Sequence, residues 1–274
     1  MKNNQKGFSH ILLILIFVVV LGGALFFAYS RVSSNNNNKP KNQSNNNATN
    51  NQEGSKQQQA SNSDEPKIKN LPIKVGKYDP ATGMAGDMKF TKWASMKTGG
   101  LEAVFLEYGN KIKANSARES RLNPQPTFVA PLGTKVHSIV DGTVYDVPKL
   151  YSNDYSIMVQ GKDQSVIFET EHVINPLVKK GDAVKAGQVI AEVSDYDSRN
   201  LDGLGLVEMG VLLPGNPPQH ACTFDYLDSS VKNEISSQIT QLMTDWESFM
   251  GDQNIYDQAS MPVPGCATQD KVEG

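Results

Sequence analysis

Four side chains in two short segments of this sequence could bind a metal ion or transfer a proton. Glu169, Glu171 and His172 lie in the segment "SVIFETEHV", and Glu208 lies in the later segment "GLVEMGVLL". Carboxylate and imidazole groups are ligands of catalytic zinc and the commonest general acids and bases. The four side chains could converge if the two segments form neighbouring strands. Because successive side chains of a strand alternate between its faces, we expect Glu169 and Glu171 on one face and His172 on the other.

That alternation predicts that only part of this set meets in one place. Three interpretations stay open for it: a metal site built from His172 and the carboxylates, a structural hydrogen bond between His172 and Glu208, or a solvated cleft that faces a partner. A serine nucleophile is not indicated, because the sequence contains no Gly-x-Ser-x-Gly segment. Nucleic acid is not an expected partner, because the formal net charge is −3 and no basic stripe with interleaved aromatic residues is present.

Two cysteines, Cys222 and Cys266, are the only ones in the chain. An even number of cysteines in an exported region favours a disulfide. The competing interpretation makes His220 and Cys222 metal ligands, but it needs two further ligands at suitable spacing, and none lies nearby in the sequence. We therefore predict a Cys222–Cys266 disulfide.

Residues 127–213 carry the pattern of a β domain throughout. Short segments rich in β-branched residues alternate with turn signals such as Asp141-Gly142 and Gly181-Asp182. No unit is long enough for a parallel strand–helix–strand crossover. The predicted fold is mainly β, a sandwich or barrel of short strands.

A helical pattern follows this β region. Six apolar residues recur at steps of three and four and would form one face of an amphipathic helix: Val231, Ile235, Ile239, Leu242, Trp246 and Phe249. Asp228, Ser229 or Ser230 is expected to cap its start, and Gly251 is expected to end it. The helix should pack its aromatic residues against the β domain.

The N-terminal region has the composition of an anchor and a tether. Residues 11–28 are uncharged and, with Tyr29 and Ser30, approach the length that spans a bilayer. Lys2 and Lys6 precede this stretch and Arg31 follows it, which predicts a cytoplasmic N-terminus and an exported remainder. Residues 33–63 consist largely of Asn, Gln, Ser and Lys and are predicted to be a disordered tether.

The chain is therefore predicted to have five parts. Residues 1–32 are a cytoplasmic stub and transmembrane anchor, and 33–63 are the tether. An N-terminal extension (64–121), the β domain (122–213) and a C-terminal helix and tail (214–274) follow.

The segment "FVAPLGTKVHSIVDGTVYDV", followed by "VKKGDAVKAGQVIAEV", resembles the lysostaphin-type zinc endopeptidases of bacterial cell walls. In that family, a strand with His-x-x-x-Asp precedes the Ala-Pro-x-Gly-Thr segment, a histidine precedes the Val-x-x-Gly-Asp run, and a closing strand carries His-x-His. The resemblance covers about ninety residues, 123–211, and implies the family's β fold and a cell-wall substrate.

Carrying the family's residues onto this sequence leaves the zinc ligands missing. The first histidine falls at Asn123, the aspartate at Thr127, and the two histidines of the closing strand near Leu206 and Glu208. His172 matches the histidine that assists catalysis without binding the metal. Catalytic zinc is held by three ligands drawn from His, Asp, Glu and Cys, so the resemblance predicts no zinc site of the family's kind.

The opening "KGFSHILLILI" resembles the leader of type IV prepilins, in which Lys-Gly-Phe-Ser/Thr precedes a hydrophobic helix. That family has a glutamate at the fifth position after the glycine, where this chain has Leu12. We therefore predict an anchor that is not processed at Gly7.

Together these observations predict a single-pass envelope protein whose domain lies outside the cytoplasmic membrane. The domain would bind or regulate at the cell wall without catalysis and without a cofactor. Its partner would be peptidoglycan or a wall hydrolase, and its weak catalytic candidates are His172 and Glu208. Two alternatives stay open: a zinc-dependent peptidoglycan endopeptidase with rearranged ligands, and a pilin-like assembly subunit.

Overall fold

The computed structural model describes residues 67–92, 103–112, 119–161, 165–196 and 202–274. The predicted anchor and tether lie outside these ranges. Within the described residues, no helix has the length and hydropathy to cross a membrane.

The chain is mainly β, as predicted, and its largest sheet contains eleven strands. The two longest strands, IFETEHVI and LGLVEMGVLL, bury most of their side chains. Eight of its strands come from the predicted β domain: β7 (Thr127–Pro131), β8 (Lys135–His137), β9 (Gly142–Asp146), β10 (Tyr155–Gln160), β11 (Ile167–Ile174), β12 (Ala183–Val184), β13 (Val189–Val193) and β14 (Leu204–Leu213). Along the main path, the order is β12-β9-β10-β11-β14.

The sheet branches at β11 and at β14. β11 pairs antiparallel with β10 and β14 and, at its end, with β13. β14 also pairs antiparallel with β7. The order β10-β11-β14-β7 therefore lines up four antiparallel strands.

The N-terminal extension is built into this fold. β1 (Val75–Asp79), β2 (Met84–Gly86) and β3 (Met88–Lys89) form a separate three-stranded sheet, and β5 (Lys111–Ile112) pairs with β6 (Arg121–Leu122). β4 (Phe105–Leu106) adds to the large sheet beside β7. The short apolar segment that contains Phe105 and Leu106 thus supplies a strand.

The predicted C-terminal helix, α1, spans Lys232–Met250. It buries the expected face, including Ile235, Ile239, Leu242 and Trp246, and ends at Gly251 with φ 72°. The predicted N-terminal cap is wrong. The capping position is taken by Val231, whose side chain has no hydrogen-bonding atom, and the Asp228 carboxylate accepts from the backbone N–H and hydroxyl of Ser230 instead.

The predicted disulfide is confirmed: Cys222 and Cys266 are bonded, with their Cα atoms 6.0 Å apart. The tail beyond Cys266 is also held by the backbone. β16 (Val272–Glu273) pairs with β15 (Gln219–His220), which in turn pairs with β14. The covalent bond and the added strand together fix the tail on the β domain.

Candidate functional site

A cleft of about 530 Å³ opens over the strands β11 and β14. All four side chains singled out in the sequence line it, namely Glu169, Glu171, His172 and Glu208. The remaining wall is largely aromatic, aliphatic or proline side chains, among them Leu150, Tyr151, Met158, Tyr196, Leu212, Pro217 and Pro218. Polar groups set into a mainly apolar cleft are typical of a binding site.

A β-bulge brings the four side chains together, which corrects the expected alternation. Tyr155 of β10 pairs with Val173 of β11, but Ile157 pairs with Thr170, so Glu171 and His172 both lie opposite one residue of β10. His172 has a left-handed backbone, φ 58°, a conformation that is uncommon outside glycine, asparagine and aspartate. An extra residue in a strand re-aims the side chains beside it. Glu171 and His172 therefore both reach the cleft.

The pairing of strands places Glu208 between Glu171 and Thr127. Glu208 pairs with Glu171 on β11 and with Thr127 on β7. One ligand atom each from Glu171, His172 and Glu208 lie within 4.8 Å of one another. The hydrogen bond between His172 and Glu208, one of the three interpretations left open, is not formed, because Nε2 and Oε2 are 3.7 Å apart, a distance typical of an ion pair.

The Nδ1 atom of His172, on the opposite side of the ring from Glu208, is held by a carboxylate. Its Nδ1 lies 3.0 Å from Oδ2 of Asp154, and Asp154 also accepts hydrogen bonds from the hydroxyls of Ser152 and Ser194. The ring of His172 packs edge-on against Tyr196, with centroids 4.2 Å apart. Only 4% of His172 is exposed, so its orientation is fixed by these contacts.

Burial and neighbouring charges shift the pKa values of Glu171, His172 and Asp154. Burial raises the pKa of Glu171, and the nearby carboxylates of Glu169 and Glu208 raise it further, to about 8. Burial lowers the pKa of His172, but the hydrogen bond with Asp154 and the charge of Glu208 outweigh burial and raise it. Burial likewise opposes ionisation of Asp154, but its hydrogen bonds prevail and lower its pKa.

A second imidazole–carboxylate contact lies beside the first. His220 Nε2 is 3.3 Å from Oε2 of Glu169, and the amide of Gln125 donates to the same oxygen at 3.0 Å. The absence of a side chain at Gly210 makes room for this amide, since a Cβ there would lie 2.7 Å from Nε2 of Gln125. The buried Nδ1 of His220 has no hydrogen-bond partner among the described residues.

The family's zinc positions do not fit a zinc ion here. Asn123 is buried, and its amide donates to the backbone carbonyls of Glu107 and Gln125, at 3.1 and 2.5 Å. The hydroxyl of Thr127 donates to Glu208 at 3.0 Å, and Leu206 is a buried apolar side chain. Asn123 and Thr127 are thus committed to the hydrogen bonding of the protein itself, and Leu206 offers no ligand atom.

Three hydrogen-bond partners of the cleft's side chains were missed by the sequence analysis: Asp154, Gln125 and His220. Asp154 lies 18 positions before His172, and Gln125 lies 44 positions before Glu169. His220 had been considered only beside Cys222. No local spacing links these pairs, because the contacts are made by strands that meet through the sheet rather than along the chain.

The fold and the cleft define a peptidase-like β domain. Residues 126–206 match the model of Peptidase family M23, which confirms the resemblance to lysostaphin-type peptidases for that part of the chain. Among curated proteins, no match is found.

Several solved structures are similar to this chain at low identity. The peptidase lysostaphin from Staphylococcus simulans is 20% identical over 40% of this chain and 42% of its own, with a TM-score of 0.33. A mutant catalytic domain of the prophage-encoded M23 protein EnpA from Enterococcus faecalis is 21% identical, covering 43% of this chain and 88% of its own, with a TM-score of 0.35. LytU is 18% identical, covering 58% of this chain and 97% of its own, with a TM-score of 0.36. The chain spans less than half the length of lysostaphin.

Proposed function

We propose that this chain is a membrane-anchored cell-envelope protein whose M23-like domain binds peptidoglycan in the cleft without cleaving it. The observation that supports this proposal is the replacement of the family's ligands by Asn123, Thr127 and Leu206 beside a cleft that remains open. A peptidase that loses its metal loses the group that activates water, but it keeps the surface that recognises the substrate.

The cleft has features that suit a peptide ligand. Tyr151 is 72% exposed at its wall, and its hydroxyl is 2.9 Å from that of Tyr196, which packs on His172. Exposed tyrosines supply contact area at a low entropic cost and are enriched in binding sites. The carboxylates below them can accept hydrogen bonds from peptide N–H and amino groups.

Wall binding can be measured by sedimentation. The full chain in mild detergent should sediment with isolated bacterial cell walls, and Tyr151→Ala should weaken binding about tenfold, because it removes an aromatic anchor from the cleft. The matched control is Tyr145→Ala. Tyr145 is 42% exposed on β9 and does not line the cleft, so its variant should bind as the unchanged protein does.

Equal binding by the Tyr151 and Tyr145 variants would contradict a role for the cleft. No sedimentation with walls would contradict peptidoglycan as the partner and would favour a wall hydrolase.

The same samples test the enzymatic alternative, a zinc-dependent endopeptidase with rearranged ligands, which the proximity of Glu171, His172 and Glu208 favours. Release of new amino groups from the walls on addition of zinc would replace the binding proposal by that alternative.

Membrane anchoring is part of the proposal. Because residues 11–30 form an uncharged stretch and Leu12 replaces the glutamate of prepilins, the chain should remain in the membrane fraction after alkaline extraction. Mass spectrometry of the intact protein should find no cleavage after Gly7. A mature N-terminus at Phe8 would instead support the pilin-like alternative.

A further inference from the structure

We propose that Glu171, His172 and Glu208 form a divalent-cation site of the zinc class, with a ligand set different from that of the M23 peptidases. Only Glu208 stands at one of the family's ligand positions. Glu171 and His172 reach the cleft through the bulge in β11. The site goes beyond wall binding, since a cation could be bound whether or not the cleft binds peptidoglycan.

The distances between the ligand atoms suit one ion. The three atoms lie within 4.8 Å of one another, and His172 Nε2 is 3.7 Å from Glu208 Oε2. Ligand atoms that share a tetrahedral zinc ion at about 2.0 Å lie roughly 3.3 Å apart. Small rotations of the Glu171 and Glu208 side chains would therefore bring the three ligand atoms to the spacing that a single zinc ion requires. Glu208 keeps 18% of its side chain exposed at the cleft, so an ion has a path to the site.

His172 points to a ligand independently of the acidic residues. Its Nδ1 is engaged by Asp154, while its Nε2 is within hydrogen-bond distance of no described residue and lies at the cleft. The residue is 96% buried, as only 4% of its surface is exposed. A histidine that gives one nitrogen to a carboxylate and presents the other is the usual arrangement of a metal-binding imidazole.

The charge of the cleft also favours a cation. Four carboxylates, on Asp154, Glu169, Glu171 and Glu208, face two imidazoles, on His172 and His220. The only lysine or arginine among the described residues that line the cleft is Arg121, which is exposed. Buried carboxylates are stable when they are paired or coordinate a metal, and a divalent ion would pair with both Glu171 and Glu208.

The donor set selects the kind of metal. One imidazole and two carboxylates suit zinc and its borderline relatives, whereas calcium and magnesium prefer six or more oxygen ligands. A bound ion would keep open positions that a carboxylate of a wall peptide could occupy. As a ligand of the ion, His172 would not be available to transfer protons.

The test is a titration of the untagged full chain, in detergent and stripped of metals with a chelator. Isothermal titration with zinc chloride should show one site per chain, and cobalt chloride should give the visible absorption of a tetrahedral ion. Glu171→Gln and Glu208→Gln should each weaken zinc binding by about 10- to 100-fold. The matched control is Glu192→Gln, an exposed carboxylate bound by Lys135 and Asn175, which should leave the affinity unchanged.

Melting curves keep the result interpretable if a variant is destabilised. Zinc should raise the melting temperature of the unchanged chain and of Glu192→Gln, but not that of Glu208→Gln. Asp154→Asn tests the positioning of His172 and should weaken zinc binding without removing a ligand. Absence of zinc binding to the unchanged chain, or binding that persists in both glutamate variants, would overturn the proposal. Wall sedimentation is measured separately, so failure of one proposal is distinguishable from failure of the other.

Discussion

Loss of the Cys222–Cys266 disulfide should lower the free energy of unfolding by about 4 kcal/mol. The bond joins residues 44 positions apart. In the chain-entropy account, a loop of that length restricts the unfolded chain by about that amount. The double variant Cys222→Ala/Cys266→Ala should therefore melt roughly 8–16 °C lower than the unchanged protein. The measurement is thermal unfolding of both proteins by circular dichroism.

Thiol labelling provides the control for this prediction. The unchanged protein should show no reactive thiol under non-reducing, denaturing conditions and two after reduction. The tail keeps other contacts, including the hydrogen bonds between Tyr108 and the backbone of Gly265 and Ala267, and the pairing of β16. If the double variant melts within about 2 °C of the unchanged protein, these contacts alone fix the tail and the prediction is wrong.

Replacement of Trp246 by alanine should lower the free energy of unfolding by about 3–5 kcal/mol. Trp246 is fully buried on α1 and lies edge-on to Phe90, with ring centroids 5.0 Å apart. It also stacks near Phe249 at 5.4 Å. Phe90 follows the three-stranded sheet of the extension, so this cluster joins the extension to the helix. The alanine variant would leave a cavity at that junction. Urea denaturation of the variant and the unchanged chain measures the loss.

Trp246→Phe is the matched control. The buried Nε1 of Trp246 has no hydrogen-bond partner among the described residues, so phenylalanine keeps part of the packing and removes an unpaired donor. We expect a loss of about 1 kcal/mol or less for this variant. A loss as large as that of the alanine variant would show that the junction needs the full size of the indole ring and that phenylalanine cannot fill it.

Residue types and their spacing were enough to predict the domain and its missing ligands. Alternating β-branched residues between glycine turns predict short strands because strand side chains alternate and turns need particular residues. The Ala-Pro-x-Gly-Thr and Val-x-x-Gly-Asp segments indicated the M23-like domain. The disulfide followed from the cysteine count. The helix and its end at Gly251 followed from local periodicity, since each depends on residues close together in the chain.

The cleft itself depended on tertiary structure. The alternation rule separated Glu171 from His172, but the bulge in β11 placed both beside Glu208. A bulge is set by how two strands align, and neither strand encodes it alone.

The contacts of Asp154 and His220 with side chains of the cleft could not be predicted for the same reason. Their partners, His172 and Glu169, are 18 and 51 positions away in the chain. The sequence by itself therefore determined which groups this domain has lost. The tertiary structure decided which groups stand together in the cleft, because the pairing of distant strands brings its carboxylates and imidazoles close to one another.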